Sequence, residues 1–137
     1  LDRATATSGF ENLVATDFVV EAVFEEMAVK EAVFHQLDRV LPPNAIIASN
    51  TSYLDLNRIA VVTGRAADVV GLHFFSPANV MRLLEVVRCR ETSLETLATA
   101  LDLAKRLRKL PVVAQVSEGF IGNNGPCKRA AKILPTL

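Results

Sequence analysis

Short apolar runs alternate along this chain with longer stretches in which apolar residues recur every three or four positions. Runs rich in β-branched residues, such as FVVEAV and AIIAS, are typical of strands that are buried on both faces of a sheet. We therefore predict strands at residues 17–23, 44–49, 67–75, 82–88 and 110–116.

The amphipathic stretches between these strands predict helices. The first covers residues 24–41 and ends at a Pro-Pro pair; its apolar positions are Met27, Val33, Phe34, Leu37, Val40 and Leu41. The second covers residues 52–63, where Ser52 and Asp55 have the spacing of a capping box. The third begins at a similar pair, Thr92 and Glu95, and runs to about Arg108. Its expected apolar face consists of Leu94, Leu97, Ala98, Leu101, Ala104 and Leu107.

The order of these elements predicts the fold class. Strands that alternate with helices form parallel sheets, because each right-handed crossover returns the chain to the same end of the sheet. We therefore expect an α/β fold with a mostly parallel sheet.

Composition and charge exclude several classes of function. The 137 residues are half hydrophobic, which is enough for one core. Fifteen basic residues balance fifteen acidic ones, so no overall field attracts the chain to nucleic acid or to an anionic membrane. No apolar run reaches the roughly 18 residues of a membrane span, and no leader precedes the first strand. We expect an intracellular, soluble protein.

The two cysteines do not suggest a metal site or a disulfide framework. Cys89 and Cys127 lie far apart, without CxxC spacing, in a charge-rich chain. Free thiols are therefore the expectation.

Two polar residues interrupt apolar runs in the stretch VVGLHFFSPANVMRLLEVV. His73 and Glu85 would each be costly to bury without a hydrogen-bond partner. Only a short connection separates their strands, so the strands are expected to be neighbours. A glutamate beside the imidazole would orient the ring and select one tautomer, as in a general base with its orienting partner. A buried structural pair would produce the same pattern in sequence.

Polar residues also follow the ends of successive predicted strands. Glu25 follows the first strand, Asn50, Thr51 and Ser52 follow the second, and His73 lies near the end of the third. Ligands of open parallel α/β sheets bind outside the carboxyl ends of the strands, so these groups are expected to meet at one edge. The other histidine, His35, lies beside the apolar stripe of the first helix and is interpreted as a surface residue.

Four motifs in order resemble a known family. The stretches VVEAVFEEMAVK, IIASNTSYL, GLHFFSPANVMRLLEVV and SEGFIGN are similar to signatures of the NAD-binding domain of L-3-hydroxyacyl-CoA dehydrogenases, over roughly residues 15–123. The third motif is most similar to that of the multifunctional enzymes of fatty-acid β-oxidation. The resemblance implies an oxidoreductase with a Rossmann-type, doubly wound sheet, NAD as cofactor and an acyl-CoA as substrate.

The resemblance also implies roles for individual residues. His73 would take the proton from the substrate's 3-hydroxyl while hydride leaves C3 for the nicotinamide, and Glu85 would hold and polarise the imidazole. Ser52 and Asn123 would bind the substrate oxygen and the acyl-CoA. The implied cofactor contacts are Ala22, Val23, Glu25, Lys30, Asn50, Ser52 and Ser76. Ser76 stands where many members of the family have asparagine.

Simpler interpretations of these residues remain open from the sequence. Ser52 would serve only as a helix N-cap. Glu25 and Lys30 would be an ordinary solvated helix start, and Asn50 a turn residue.

The same comparison predicts the domain organisation. Residues 1–123 resemble the C-terminal part of the NAD-binding domain, followed by a divergent basic tail at residues 124–137. The first strand, the G-x-G-x-x-G turn and the helical C-terminal domain of the family are not found. We therefore expect the isolated chain to bind NAD weakly and to turn over slowly. Its uncovered strands are expected to favour self-association, and the intact enzyme is expected to be a homo-oligomer.

Two other functions stay open at this point. Another NAD-dependent hydroxy-acid dehydrogenase could share the sheet, and a non-catalytic, crystallin-like relative could share the sequence. The expected location is the cytoplasm, or the peroxisome or mitochondrion of a eukaryote.

Overall fold

The computed structural model describes residues 4–117 and residue 120. Asn123, Cys127 and the predicted tail at residues 124–137 lie outside the described residues. The strands are β1 (Phe18–Glu21), β2 (Ile46–Ser49), β3 (Val69–Phe74), β4 (Leu83–Arg88) and β5 (Leu110–Gln115). The α-helices are α1 (Met27–Val40), α2 (Leu56–Ala60) and α3 (Leu94–Arg106), and short 3-10 helices span Phe10–Leu13 and Ala66–Asp68.

The described strands form one sheet in the order β1-β2-β3-β4-β5. Neighbouring strands are parallel except at the β3–β4 pair, which is antiparallel. Helices connect β1 to β2, β2 to β3 and β4 to β5, whereas a short loop joins β3 to β4. Because a short connection can only reverse the chain, β4 runs against β3. The predicted α/β fold with a mostly parallel sheet is confirmed.

The core lies on both faces of this sheet. Successive residues of a strand point to opposite faces, so Ile47 and Val69 pack with Phe34 of α1 and Leu56 of α2. On the other face, the residues that pack against α3 include Ala48, Val70, Leu72, Leu84 and Val86. The sheet is therefore covered by helices on both sides, as the doubly wound prediction requires.

Both predicted capping boxes are wrong. The N-cap of α2 is Asp55, whose side chain accepts a hydrogen bond from the Asn57 amide. The N-cap of α3 is Ser93, which accepts from the Thr96 amide. The hydroxyl of Thr92 is used elsewhere, because it donates to the Val69 carbonyl at 2.7 Å.

The predicted apolar face of α3 is only partly correct. The residues buried against the sheet are Thr96, Ala100 and Ala104, four positions apart. Leu97 and Leu101 flank this stripe and are partly buried. Leu94 is 72% exposed and Leu107 is 48% exposed. Small side chains therefore face the sheet, and the leucine pattern misplaced the centre of the buried face.

None of the helices within the described residues has both the length and the apolar character that crossing a membrane requires.

The first predicted helix agrees with α1. Phe34 and Leu37 of α1 are buried, and His35 is exposed as expected.

The thiol of Cys89 is enclosed just after β4 and is 3% exposed. Burial raises its pKa to about 11; the Asp55 charge acts in the same direction, and a hydrogen bond with Thr92 opposes it. In a Cys127→Ser variant, Cys89 is the remaining thiol of the chain. We expect this variant to react with a disulfide reagent at mildly alkaline pH far more slowly when folded than when unfolded in guanidinium. Equal rates in the two states would contradict this description of the thiol.

Gly71 in β3 allows α2 and β4 to approach closely. A Cβ at this position would lie 2.6 Å from Leu56 Cδ1 and 2.7 Å from Val87 Cβ. We expect Gly71→Ala to lower the free energy of unfolding by about 1–3 kcal/mol, since neither neighbour can move without disturbing the core. Gly64→Ala is the matched control, because the atom nearest its Cβ is Asp38 Oδ2 at 3.5 Å. Urea unfolding measures both, and equal stabilities would argue against a close approach at Gly71.

Candidate active site at the carboxyl edge of the sheet

The ends of β1, β2 and β3 meet at one edge of the sheet. These strands are parallel, and Glu21 of β1 lies beside Ser49 of β2, which lies beside Gly71 of β3. The polar residues that come directly after these strands are therefore brought together, as the sequence predicted. Asn50 links all three strands, because its backbone amide donates to the Glu21 carbonyl and its side-chain Oδ1 accepts from the backbone amide of Phe74 at 2.9 Å.

His73 and Glu85 form a buried pair at this edge. The antiparallel register of β3 and β4 places the two residues directly opposite each other. Nδ1 of His73 lies 2.7 Å from Oε2 of Glu85. His73 is 5% exposed and Glu85 is 1% exposed. The expected neighbouring strands and the expected contact are both confirmed.

The direction of this hydrogen bond determines what the imidazole can do. An unprotonated carboxylate can only accept, so Nδ1 is the donor and the neutral ring keeps its lone pair on Nε2. A lone pair on Nε2 can take a proton from a bound hydroxyl. The resulting imidazolium would remain hydrogen-bonded to a carboxylate, which stabilises its charge.

Two aromatic rings flank this imidazole. The ring centroid of Phe75 lies 4.5 Å from that of His73, and the centroid of Phe120 lies 6.0 Å away. Phe120 is itself only 2% exposed. These rings restrict the orientation of the histidine and make its surroundings apolar. Neither ring was predicted as a site residue from the sequence, although Phe75 belongs to the motif HFF and Phe120 to SEGFIGN.

A second polar cluster lies at the ends of β1 and β2. We call it the Glu21–Lys30–Glu25 cluster. The ammonium of Lys30 is 2.7 Å from Glu21 Oε1 and 3.3 Å from Glu25 Oε2, and it donates to the Val23 carbonyl at 3.2 Å. Lys30 is 0% exposed. An ordinary solvated helix start is therefore a wrong interpretation of Lys30.

Glu25 connects this cluster to the segment after β2. Its Oε1 accepts hydrogen bonds from the Thr51 hydroxyl and the Ser52 amide, both at 2.6 Å. Partial burial would by itself raise the pKa of Glu25, but these two hydrogen bonds and the Lys30 ammonium together hold the pKa below its ordinary value. Glu25 is thus an ionised acceptor at neutral pH. Ser52 does not cap α2, so its interpretation as an N-cap alone is wrong.

The other predicted cofactor residues lie at the same edge but are more exposed than Lys30 and Glu25. Ala22 and Val23 are exposed just after β1, and Ser76 is exposed at the start of the β3–β4 connection. Lys109 holds that connection by donating to the carbonyls of Ala78 and Met81.

Sequence reasoning missed two residues of this edge, Glu21 and Ser49. It placed Thr51 at the edge but gave that residue no role. Glu21 and Ser49 are adjacent strand ends, and the Ser49 hydroxyl donates to Glu21 Oε2 at 2.7 Å. A usable signal was present, because Glu21 interrupts the apolar run FVVEAV just as Glu85 interrupts LLEVV. Within the described residues, no group of three or more His, Cys, Asp or Glu side chains could hold a metal ion.

Comparisons with known proteins show which proteins this chain is similar to. The family model described as "3-hydroxyacyl-CoA dehydrogenase, NAD binding domain" matches residues 1–117. The chain is 49% identical over 117 residues to the peroxisomal bifunctional enzyme of Cavia porcellus, covering 85% of this chain and 16% of that protein. It is 41% identical over 123 residues to a probable 3-hydroxybutyryl-CoA dehydrogenase of Bacillus subtilis, covering 90% of this chain and 43% of that protein.

A solved structure shows the same likeness. The crystal structure of (S)-3-hydroxybutyryl-CoA dehydrogenase PaaH1 from Ralstonia eutropha matches with a TM-score of 0.82 and 40% identity, over 84% of this chain and 41% of that one. The chain thus spans less than half the length of each of these relatives.

The lowered pKa of Glu25 predicts a pH-dependent contribution to stability. The contribution is complete above the unfolded-state value, which is near 4.5, and is lost as pH falls through the lower folded-state pKa. We therefore expect wild type to be more stable than Glu25→Gln at neutral pH, with the difference shrinking in acid. Urea unfolding at a series of pH values measures it. Glu26→Gln is the control, since the Glu26 side chain makes no capping hydrogen bond to α1. A Glu25→Gln difference that does not change with pH would contradict the assignment.

Proposed function

Because this chain belongs to the 3-hydroxyacyl-CoA dehydrogenase family and matches its NAD binding domain, we propose that it carries the proton-transfer site of an L-3-hydroxyacyl-CoA dehydrogenase. The reaction is the NAD-dependent oxidation of an L-3-hydroxyacyl-CoA to the 3-ketoacyl-CoA in fatty-acid β-oxidation. The observation that carries the proposal is the buried contact of 2.7 Å between His73 Nδ1 and Glu85 Oε2 at the carboxyl edge of the sheet.

His73 acts as the general base in this proposal. Its Nε2 takes the proton of the 3-hydroxyl as the C3–O bond becomes a carbonyl. Glu85 keeps the ring in the productive tautomer and stabilises the imidazolium that forms. NAD supplies the acceptor for the hydride that leaves C3. The rings of Phe75 and Phe120 exclude water from one side of the imidazole, which strengthens its hydrogen bond to Glu85.

The donor set at the strand ends suits a dinucleotide. Glu25 presents an ionised carboxylate, a group that accepts hydrogen bonds from ribose hydroxyls. Asn50 uses Oδ1 for the Phe74 amide, so its Nδ2 group can donate to a ligand. Exposed Ala22 and Val23 would let a flat ring or sugar approach the end of β1 closely. Ser76 offers a hydroxyl near the histidine.

The remaining assignments complete the proposed binding site. Ser52 would contact both substrate and cofactor, held in place by Glu25. Asn123 would contribute to substrate binding; it lies outside the described residues. Lys30 would act on the cofactor through Glu25. We propose that the intact enzyme is a homo-oligomer and, in a eukaryote, works in the peroxisome or mitochondrion.

Activity of the chain tests the proposal. Wild type is assayed at high protein concentration by NADH oxidation with acetoacetyl-CoA, and in the forward direction with NAD and 3-hydroxybutyryl-CoA. We expect His73→Ala to lower the rate by about 10²–10⁴-fold. Glu85→Gln is also expected to lower it, because a glutamine amide can donate to Nδ1 and so place the ring proton on Nε2. His35→Ala is the matched control, since His35 is the exposed histidine.

Two further measurements make the result decisive. Free 3-hydroxybutyrate in place of the CoA thioester separates the proposed substrate class from other hydroxy acids. If turnover is too slow to measure, the ¹⁵N resonances of the His73 ring should shift when 3-hydroxybutyryl-CoA is added. A His73→Ala variant as active as wild type, or an imidazole that is unaffected by the thioester, would reject the proposed site.

A further inference from the structure

Glu21 has no role in the proposed reaction, although its carboxylate is the most enclosed acidic group at the end of β1. Its side chain is 1% exposed. A buried carboxylate is costly unless it is paired and fully hydrogen-bonded. We propose that Glu21 is a positioning residue that anchors Lys30, so that Lys30 fixes Glu25 and Glu25 holds the segment carrying Ser52. The proposal rests on the proposed roles of Glu25 and Ser52 in the reaction.

Both oxygens of Glu21 are occupied by neighbouring elements. Oε1 accepts from the Lys30 ammonium at 2.7 Å and from the Val23 amide at 2.6 Å. Oε2 accepts from the Ser49 hydroxyl at 2.7 Å. These donors come from α1, from the segment after β1 and from β2. Glu21 therefore does not face a ligand, and its effect on one has to pass through its partners.

Lys30 is the first of these partners. An ammonium has three N–H donors, and the three acceptors around Lys30 are Glu21, the Val23 carbonyl and Glu25. The contact with Glu21 is the shortest of the three. Lys30 is thus anchored at Glu21 and reaches Glu25 from there.

Glu25 passes this constraint to the segment after β2. While Oε2 faces Lys30, Oε1 receives the Thr51 hydroxyl and the Ser52 amide. The same Thr51 oxygen accepts from the Leu54 amide at 3.0 Å, so the turn from 51 to 54 is tied to Glu25. Without the charge of Glu21, Lys30 would keep Glu25 as its charged partner in this cluster. The ammonium would move toward it, and the orientation of the Glu25 carboxylate would change.

The test is a set of ¹H–¹⁵N spectra of the whole chain in the absence and presence of NAD. We expect Glu21→Gln to shift the amide resonances of Ser52 and Leu54 about as strongly as Glu25→Gln does, and to weaken NAD binding several-fold. Glu31→Gln is the matched control, because Glu31 lies on the same helix but pairs with Arg58 at the surface. It should leave Ser52, Leu54 and NAD affinity unchanged. Unshifted Ser52 and Leu54 resonances in folded Glu21→Gln would overturn the proposal.

A second variant covers the case in which Glu21→Gln does not fold. The double variant Glu21→Gln with Lys30→Met replaces the buried ion pair by neutral groups of similar size, a change that proteins often tolerate. Glu25 then lacks its ammonium, so the Ser52 and Leu54 amides should again shift. If they do not shift, or if the double variant also fails to fold, Glu21 is a stability residue and the positioning role is wrong.

The readouts separate this proposal from the proposed function. The Ser52 and Leu54 shifts are measured without any ligand and depend only on the positioning. If they occur while wild type binds neither NAD nor the thioester, the positioning stands and the proposed function fails. If wild type binds both and the shifts are absent, the proposed function stands and the role of Glu21 fails.

Discussion

The pairing of β3 with β4 is the constraint on which the candidate active site depends. A single step of register would turn Glu85 to the opposite face of the sheet and leave His73 without its carboxylate. The core prevents that step, because Leu84 and Val86 pack against the α3 side, whereas Val87 packs on the side of α1 and α2. Ordinary apolar burial thus fixes the distance between two polar atoms.

The same edge of the sheet holds a second group of buried charges. Lys30 occupies the buried stripe of α1 together with Phe34 and Leu37, where an apolar residue would satisfy the helix pattern more simply. Removing one partner from a buried ion pair typically costs about 3–5 kcal/mol, yet replacing the whole pair by apolar residues is often neutral. Stability alone therefore explains poorly why charges occupy these positions. Their common feature is that Glu21 contacts Lys30 and Lys30 contacts Glu25, which accepts a hydrogen bond from the Ser52 amide.

Much of the fold could be predicted because it follows from local periodicity. The apolar runs placed the strands within a few residues, and the strand-helix order predicted a mostly parallel sheet. Prediction failed where neighbours of similar chemistry compete. Thr92 and Ser93 both carry a hydroxyl that could cap α3, but a carbonyl of Val69, 23 positions away, takes the Thr92 hydroxyl and leaves the cap to Ser93. The leucine pattern of α3 predicted the wrong buried face, because small side chains pack against the sheet there.

The candidate site divides in the same way. His73 and Glu85 stood out because each is a polar residue in an apolar run, and their short connection made them neighbours. The apolar run around each residue and the short connection between them are local features, which the sequence by itself determined. The surroundings of Lys30 were decided only by the tertiary structure. Glu21 and Glu25 both contact Lys30. The hydroxyl of Ser49, 28 residues from Glu21, donates the hydrogen bond that completes the set of donors around the Glu21 carboxylate. That set of donors exists only after β1 and β2 have paired in register, because the hydrogen bonds that stabilise a buried carboxylate come from residues far apart in sequence.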